Sequence, residues 1–357
     1  MFSSTSSSDP NDATVDRGRA AWRRLFVRMA GTAAIAVAAV YAFVVLNDPW
    51  SALPLTLPLK RVPVTGNQRY TNPALARSPE FDSALFGNST SLLLRPESLD
   101  PEFSARFVNL AILAATPYEI SSMMAVFMSA HPSPKVIIAG LDTAWCATGG
   151  SFPQLSQQQF PEWMYHGSRW RAYGELLNMF AVQEAGKEFA ILTGFKKPEW
   201  PLDGRRDYLP PDGQYNAQQA EAHLHAGIGS FIPGGRRLGP PDDWRFPALE
   251  KLRQHLSALP DATRKIVFFV PFNRHVLAAP GSDGAAVWAE CKRRTAGMAT
   301  GIANLTVADF MRPSPITTRD DNYWDPLHYR VSIANRLAID LSRAAMGDPS
   351  SDYTLLR

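Results

Sequence analysis

The chain has 357 residues, enough for one large domain or two ordinary ones, and its 45% hydrophobic and 19% charged residues are those of a globular protein. A formal charge of +3, with no Lys/Arg-rich face recurring along the body, argues against a nucleic acid as partner. Much of the positive excess lies near the N-terminus, and the remainder is close to neutral.

Residues 1–28 read as a cytoplasmic tail. Ser, Thr and Asp dominate as far as residue 16, which predicts disorder, and Arg17, Arg19, Arg23, Arg24 and Arg28 make the rest basic. Residues 29–46 carry no charge, and their length matches what a helix needs to cross roughly 30 Å of hydrocarbon. The arginines before this run should stay in the cytoplasm, so the main domain is expected on the outer side of an inner, cytoplasmic membrane. Pro49 ends the helix, and Trp50 suits the outer interface. A cleaved signal peptide and a buried core helix are the competing readings, but the apolar run exceeds the usual signal core and the polar stretch before it is long.

Residues 47–80 contain Pro49, Pro54, Pro58, Pro63, Pro73 and Pro79 and read as an extended stalk. From Phe81 short apolar runs alternate with helical stretches: 83–86, 107–110, 136–139, 266–270 and 305–307 suit parallel strands buried on both faces. Glu119–Ala130 suits a crossover helix. The pattern predicts an α/β domain over 81–345, a doubly wound, mostly parallel five-stranded sheet in a three-layer sandwich, with ligands beyond the carboxyl ends of the strands.

Between about 147 and 260 the alternation breaks. Turn-forming stretches at 208–213 and 232–235, and Trp163, Trp170 and Tyr173 on short candidate helices, mark a large insertion that shapes or covers the site. Asp325 reads as the N-cap of a final helix, Pro326 as its first residue, and Gly347 as its stop, leaving 346–357 as a tail. Cys146 and Cys291 each follow a predicted strand; a disulfide and two unpaired thiols both fit.

Three residue groups carry chemistry. Asp325 stands three residues before His328, and Ser89 follows the first strand in Gly87-Asn88-Ser89. A serine hydroxyl becomes an effective nucleophile when a histidine takes its proton and a carboxylate orients that histidine. Helix capping by Ser89 or Asp325 is the plain alternative for each alone. His275, just after the fourth strand, is placed to line the pocket or to serve structure. His223 and His225 could share a metal only on a strand. No Gly-rich phosphate loop, zinc spacing or dinucleotide fingerprint is present, so no cofactor or metal is expected.

These residues resemble the SGNH/GDSL hydrolase superfamily. Its Gly-Asp-Ser block is matched by Gly87-Asn88-Ser89, and its Asn-x-Gly-x-x-Gly block by Asn109 to Ala114, with alanine at both glycine positions. Its Gly-x-Asn block is matched by Gly140-Leu141-Asp142, with aspartate for asparagine, and its Asp-x-x-His by Asp325 and His328. The run from Asp320 to Arg330 is similar to membrane-anchored envelope proteins of the alginate O-acetylation kind.

The resemblance implies Ser89 as nucleophile, His328 as base and Asp325 as its orienter. It also implies an oxyanion hole from the Ser89 N–H, the Ala114 N–H and the third-block side chain. Asp142 cannot donate while ionised; it must be protonated, or turned away while Asn88, Asn109 or Thr143 donates. Implied partners are an acyl-ester or glycan substrate and a membrane acyl-donor protein. The expected function is an extracytoplasmic esterase or O-acetyltransferase acting on an envelope polysaccharide. A non-catalytic scaffold of the same fold and a metal-dependent hydrolase using Asp142, Asp325 and His328 are the alternatives.

Overall fold

The computed structural model describes residues 10–148, 152, 154–226 and 239–357, with side chains from residue 18 onward. It opens with helix α1, Pro10–Asn47, whose residues 18–47 are long and apolar enough to cross a membrane. Residues 10–16, expected to be disordered, are helical and run without a break into 17–28, where Ala20, Ala21, Arg23, Arg24 and Leu25 are strong helix formers. Residues 1–9 lie outside the described residues.

The stretch read as a stalk is folded onto the domain. It holds α2, Gln68–Ala76, which packs on α5 (Pro117–Ala130), and it buries Leu53, Val64 and Leu75. Trp50 does not stand at an interface: it is buried among Tyr70, Trp163 and Phe180, because one large aromatic stabilises more in a protein core than half-wet.

The domain then runs β1 (Ser83–Phe86), α3 (Ser89–Leu92), α4 (Pro96–Phe103), β2 (Phe107–Asn109), α5 and β3 (Val136–Leu141). The insertion follows with α6 (Glu162–Tyr165), α7 (Ala172–Glu175), α8 (Met179–Leu192) and α9 (Ala217–His225). The turn expected at 232–235 lies outside the described residues. The chain ends α10 (Pro247–Ala258), β4 (Arg264–Phe269), α11 (Asp283–Gly297), β5 (Leu305–Asp309), α12 (Val331–Met346) and β6 (Thr354–Leu356).

The sheet has six strands, in the order β2-β1-β3-β4-β5-β6. The first five are parallel, and β6 pairs antiparallel with β5, Ala308 opposite Leu355. The sixth strand corrects the expectation of five. The end of the chain, expected to be a tail, turns at Gly347, buries Tyr353 against Phe310 and covers an edge that β5 would otherwise leave open.

Right-handed crossovers send α4 to one face, where it packs on α12, and α5 to the other, where it packs on α2 and α10. The chain leaves β1 towards β2 on one side and β3 towards β4 on the other. The β1/β3 neighbours are therefore the switch point where such sheets open a crevice at their carboxyl ends.

Candidate active site

Gly87-Asn88-Ser89 leaves β1 at that crevice, and Asp142 leaves β3 beside it. The glycines are required by space. A Cβ on Gly87 would stand 2.2 Å from Ser91 Oγ, and one on Gly140 2.1 Å from the same atom, so Ser91 of α3 fits between the strand ends only because both lack one. Asn88 is the N-cap of α3, its Oδ1 accepting from the Thr90 N–H at 3.2 Å. Ser89 is therefore the first helical residue, and among the described residues its N–H has no partner.

His328 arrives from the far end of the domain. Residues 322–330 double back as a narrow loop, with Tyr323 bridging Tyr329 and the Trp324 N–H donating to the His328 carbonyl at 2.9 Å. At its tip Asp325 Oδ1 accepts from the N–H groups of Leu327 and His328 at 2.8 and 3.0 Å. Its Oδ2 stands 2.7 Å from His328 Nδ1, and His328 Nε2 stands 2.8 Å from Ser89 Oγ. The pairing to Asp325 places a proton on Nδ1, which leaves Nε2 to accept from the serine.

Asp325 thus caps its own loop and not α12, which starts five residues later than expected, at Val331. That helix takes its cap from the insertion: Asp212 accepts from the Val331 and Ser332 N–H groups at 3.2 and 3.0 Å. Burial pushes the Asp325 carboxyl up, but the His328 ring and the two backbone donors outweigh it and hold the carboxyl below its ordinary range.

The residues considered for oxyanion stabilisation part company. Asn109 is consumed by structure, its amide donating to the carbonyls of Leu92 and Leu94 and its Oδ1 accepting from the Ala111 N–H. Asn88 spends its amide on Asp142 Oδ2. Asp142 Oδ1 accepts from the Ala144 N–H at 3.0 Å, capping a 3₁₀ turn that opens with Thr143. Burial raises the Asp142 carboxyl to about 6 against the Ala144, Trp145 and Asn88 donors that favour its charge.

Ala114 has φ +50, the left-handed conformation that glycine adopts freely, at the position where the resembled motif has glycine. Its N–H has no partner among the described residues. Its carbonyl, and that of Leu113, accept from the Arg69 guanidinium at 3.3 and 3.0 Å. Arg69 is itself paired with Glu119 at 2.7 Å, both buried, and Glu119 accepts from the Ser156 hydroxyl at 2.7 Å. A residue expected in a stalk therefore holds the loop that carries Ala114.

Two further residues at the site were not read from the sequence. Tyr208, in the insertion, donates its hydroxyl to the Ser89 carbonyl at 2.6 Å and sets its ring edge-on to His328. Asp212, four residues on, anchors the same segment to α12. Both stood in a stretch whose prolines and glycine announce only a turn.

His275 bonds Asp320 at 3.3 Å and packs on His225, away from the triad's hydrogen bonds. His223 and His225 lie on helix α9, not on a strand, and no metal-holding cluster occurs among the described residues. Cys146 and Cys291 are joined in a disulfide; Cys291 lies within α11 and does not follow a strand. Compared with protein families and with curated proteins, the chain matches none of them.

Proposed function

We propose that this chain is a membrane-anchored, extracytoplasmic serine esterase or O-acyltransferase acting on acyl groups, acetyl among them, of an envelope polysaccharide. The observation that carries the reading is the continuous pair of contacts from Ser89 Oγ to His328 Nε2 (2.8 Å) and from His328 Nδ1 to Asp325 (2.7 Å). Two segments 239 residues apart meet in the arrangement that activates a serine, at a switch-point crevice.

In the first half of the proposed reaction Ser89 Oγ attacks the acyl carbonyl carbon and its proton passes to His328 Nε2. Asp325 holds Nδ1–H and stabilises the imidazolium. The N–H groups of Ser89 and Ala114 are the free donors for the developing oxyanion. Collapse breaks the ester bond, the proton on Nε2 goes to the departing alcohol, and an acyl-Ser89 remains. In the second half water or a sugar hydroxyl gives its proton to Nε2 as it attacks the acyl carbon, and that proton passes to Ser89 Oγ as the acyl–Oγ bond breaks. Water yields an esterase; a sugar hydroxyl yields an acyltransferase.

The Cys146–Cys291 disulfide suits an oxidising compartment, and the arginines before the apolar run suit an N-in anchor. The sugar substrate rests on the SGNH resemblance. The test is covalent capture: a fluorophosphonate should label the full-length protein at Ser89, and an acyl donor should leave an acyl-Ser89 peptide detectable by mass spectrometry. Both should vanish in Ser89→Ala. Full esterase or transferase activity in that variant would overturn the mechanism.

A second reading, a non-catalytic envelope scaffold, draws on Asp142, a carboxylate where an oxyanion donor is expected. It requires Ser89→Ala to leave the cellular role intact.

A further inference from the structure

From the packing of α1 we infer that the outward apolar face of α8, with Leu177 just before it, is embedded in the outer half of the lipid bilayer, beside the anchor. The inference rests on the reading of α1 as a span. The uncharged part of α1, residues 29–47, is about 28 Å long at 1.5 Å per residue, so all of it is needed to cross roughly 30 Å of hydrocarbon. None is left to stand above the surface. Yet the insertion packs along that part. Tyr41 donates its hydroxyl to the Tyr173 carbonyl at 2.7 Å, and the rings of Phe43 and Phe189 meet edge to face. Val37, Val40 and Val44 share an apolar groove with Leu177, Met179 and Val182. Leu177 reaches still further, lining a second groove with Ala33 and Ala34. Whatever touches Ala33 to Val44 shares their depth.

The composition of α8 supports the same occupant independently. Its carboxylates point inward, Glu184 at 1% and Glu188 at 0% exposure, while Met179 at 71% and Phe189 at 46% point outward. A helix facing water has the opposite arrangement. Phe195, 86% exposed, extends the apolar face, and Lys187 sits at its margin with its ammonium paired to Glu184. Outside α1, the large apolar side chains left exposed among the described residues concentrate here, on Trp170, which stacks on Tyr173, and on the neighbouring Leu55, Leu57 and Leu59; Leu155, Ile339 and Met346 are the others. An apolar patch continuous with a membrane span fits lipid.

The full-length protein, reconstituted alone into phosphatidylcholine vesicles, allows the test. Cys146 and Cys291 are bonded to each other, so a single added thiol takes an environment-sensitive fluorophore. Ile35→Cys, on the exposed side of α1, reports the span itself, and Met179→Cys reports the α8 face. With acyl-chain doxyl lipid, Met179→Cys should be quenched to at least about half the extent of Ile35→Cys. Quenching at Ile35 alone, with a water-exposed probe at 179, overturns the embedding and leaves the span. Quenching at neither position removes the span and the embedding with it. A probe at 179 that is dry yet out of reach of the doxyl group reports a second copy of the chain on that face and also overturns the inference.

Discussion

The side-chain amide of Asn88 donates to the carboxylate of Asp142, joining the residue before the candidate nucleophile to the residue that ends β3. In the superfamily that the motifs resemble, the types stand the other way round, aspartate before the serine and asparagine in the third block. Compared with those motifs the two residue types are exchanged, and in this chain they pair with each other, with the carboxylate on the side where an oxyanion donor is expected. Under the proposed mechanism, the reciprocal double variant Asn88→Asp/Asp142→Asn, which keeps an amide–carboxylate pair, should raise kcat on a small acetyl ester, because one further donor is worth on the order of 10²-fold. Asp142→Asn alone sets its amide against that of Asn88 and should gain less. An unchanged kcat in both would mean that the third donor is not limiting.

Asp142 also makes stability depend on pH. Its carboxyl is raised from 3.8 to about 6 on folding, so between those values the folded chain holds a proton that the unfolded chain has lost. Stability from this group is complete below the unfolded value and is lost as pH rises through about 6. Asp142→Asn removes the titration. Its stability relative to wild type should therefore rise between pH 4 and pH 7.5, by up to about 3 kcal/mol at 1.36 kcal/mol per unit. A constant difference at the two pH values would contradict this.

The strands were legible because short apolar runs mark buried parallel strands, and the Asp325–His328 contact because the two are three residues apart. Ser89, 239 residues from His328, was singled out through the motif resemblance and not by a local signal. Strand β6 was not legible, since Thr354-Leu355-Leu356 is too short to stand out from a tail and pairs only because β5 ends at an open edge. The start of α12 was misread because Asp325-Pro326 is also a good N-terminus, and nothing local says that the carboxylate is spent on His328. Arg69, Tyr208 and Asp212 were invisible for a different reason. Each acts on an element 44 or more residues away, and a proline-bearing segment reads as linker or turn until its partner is known.

Arg69 is expected to act through Ala114. Arg69→Met strands Glu119 as a buried, unpaired charge and should cost about 3–5 kcal/mol. Arg69→Met/Glu119→Gln removes both charges and should recover much of that stability. If Arg69 positions the loop, kcat stays depressed in the double variant, by about 10²-fold, because the carbonyls of Leu113 and Ala114 remain unclamped and a misplaced donor is a poor one. Recovery of kcat together with stability would make the pair purely structural. The two measurements, urea midpoint and kcat, therefore have to be read on the same samples.

The Cys146–Cys291 bond should be the largest single constraint on the insertion. It ties the turn that Asp142 caps to α11 across 145 residues of sequence. Closing so long a loop removes entropy from the unfolded chain worth up to about 5 kcal/mol in the chain-entropy account. Cys146→Ser/Cys291→Ser should lower the unfolding free energy by about 3–5 kcal/mol, and a thiol reductant should do the same to wild type and nothing further to the variant. The insertion reaches the site through Tyr208, so loosening it should also expose that segment to limited proteolysis before the sheet unfolds. An unchanged midpoint in the variant would show that the packing of α8, α10 and α11 holds the insertion without the bond.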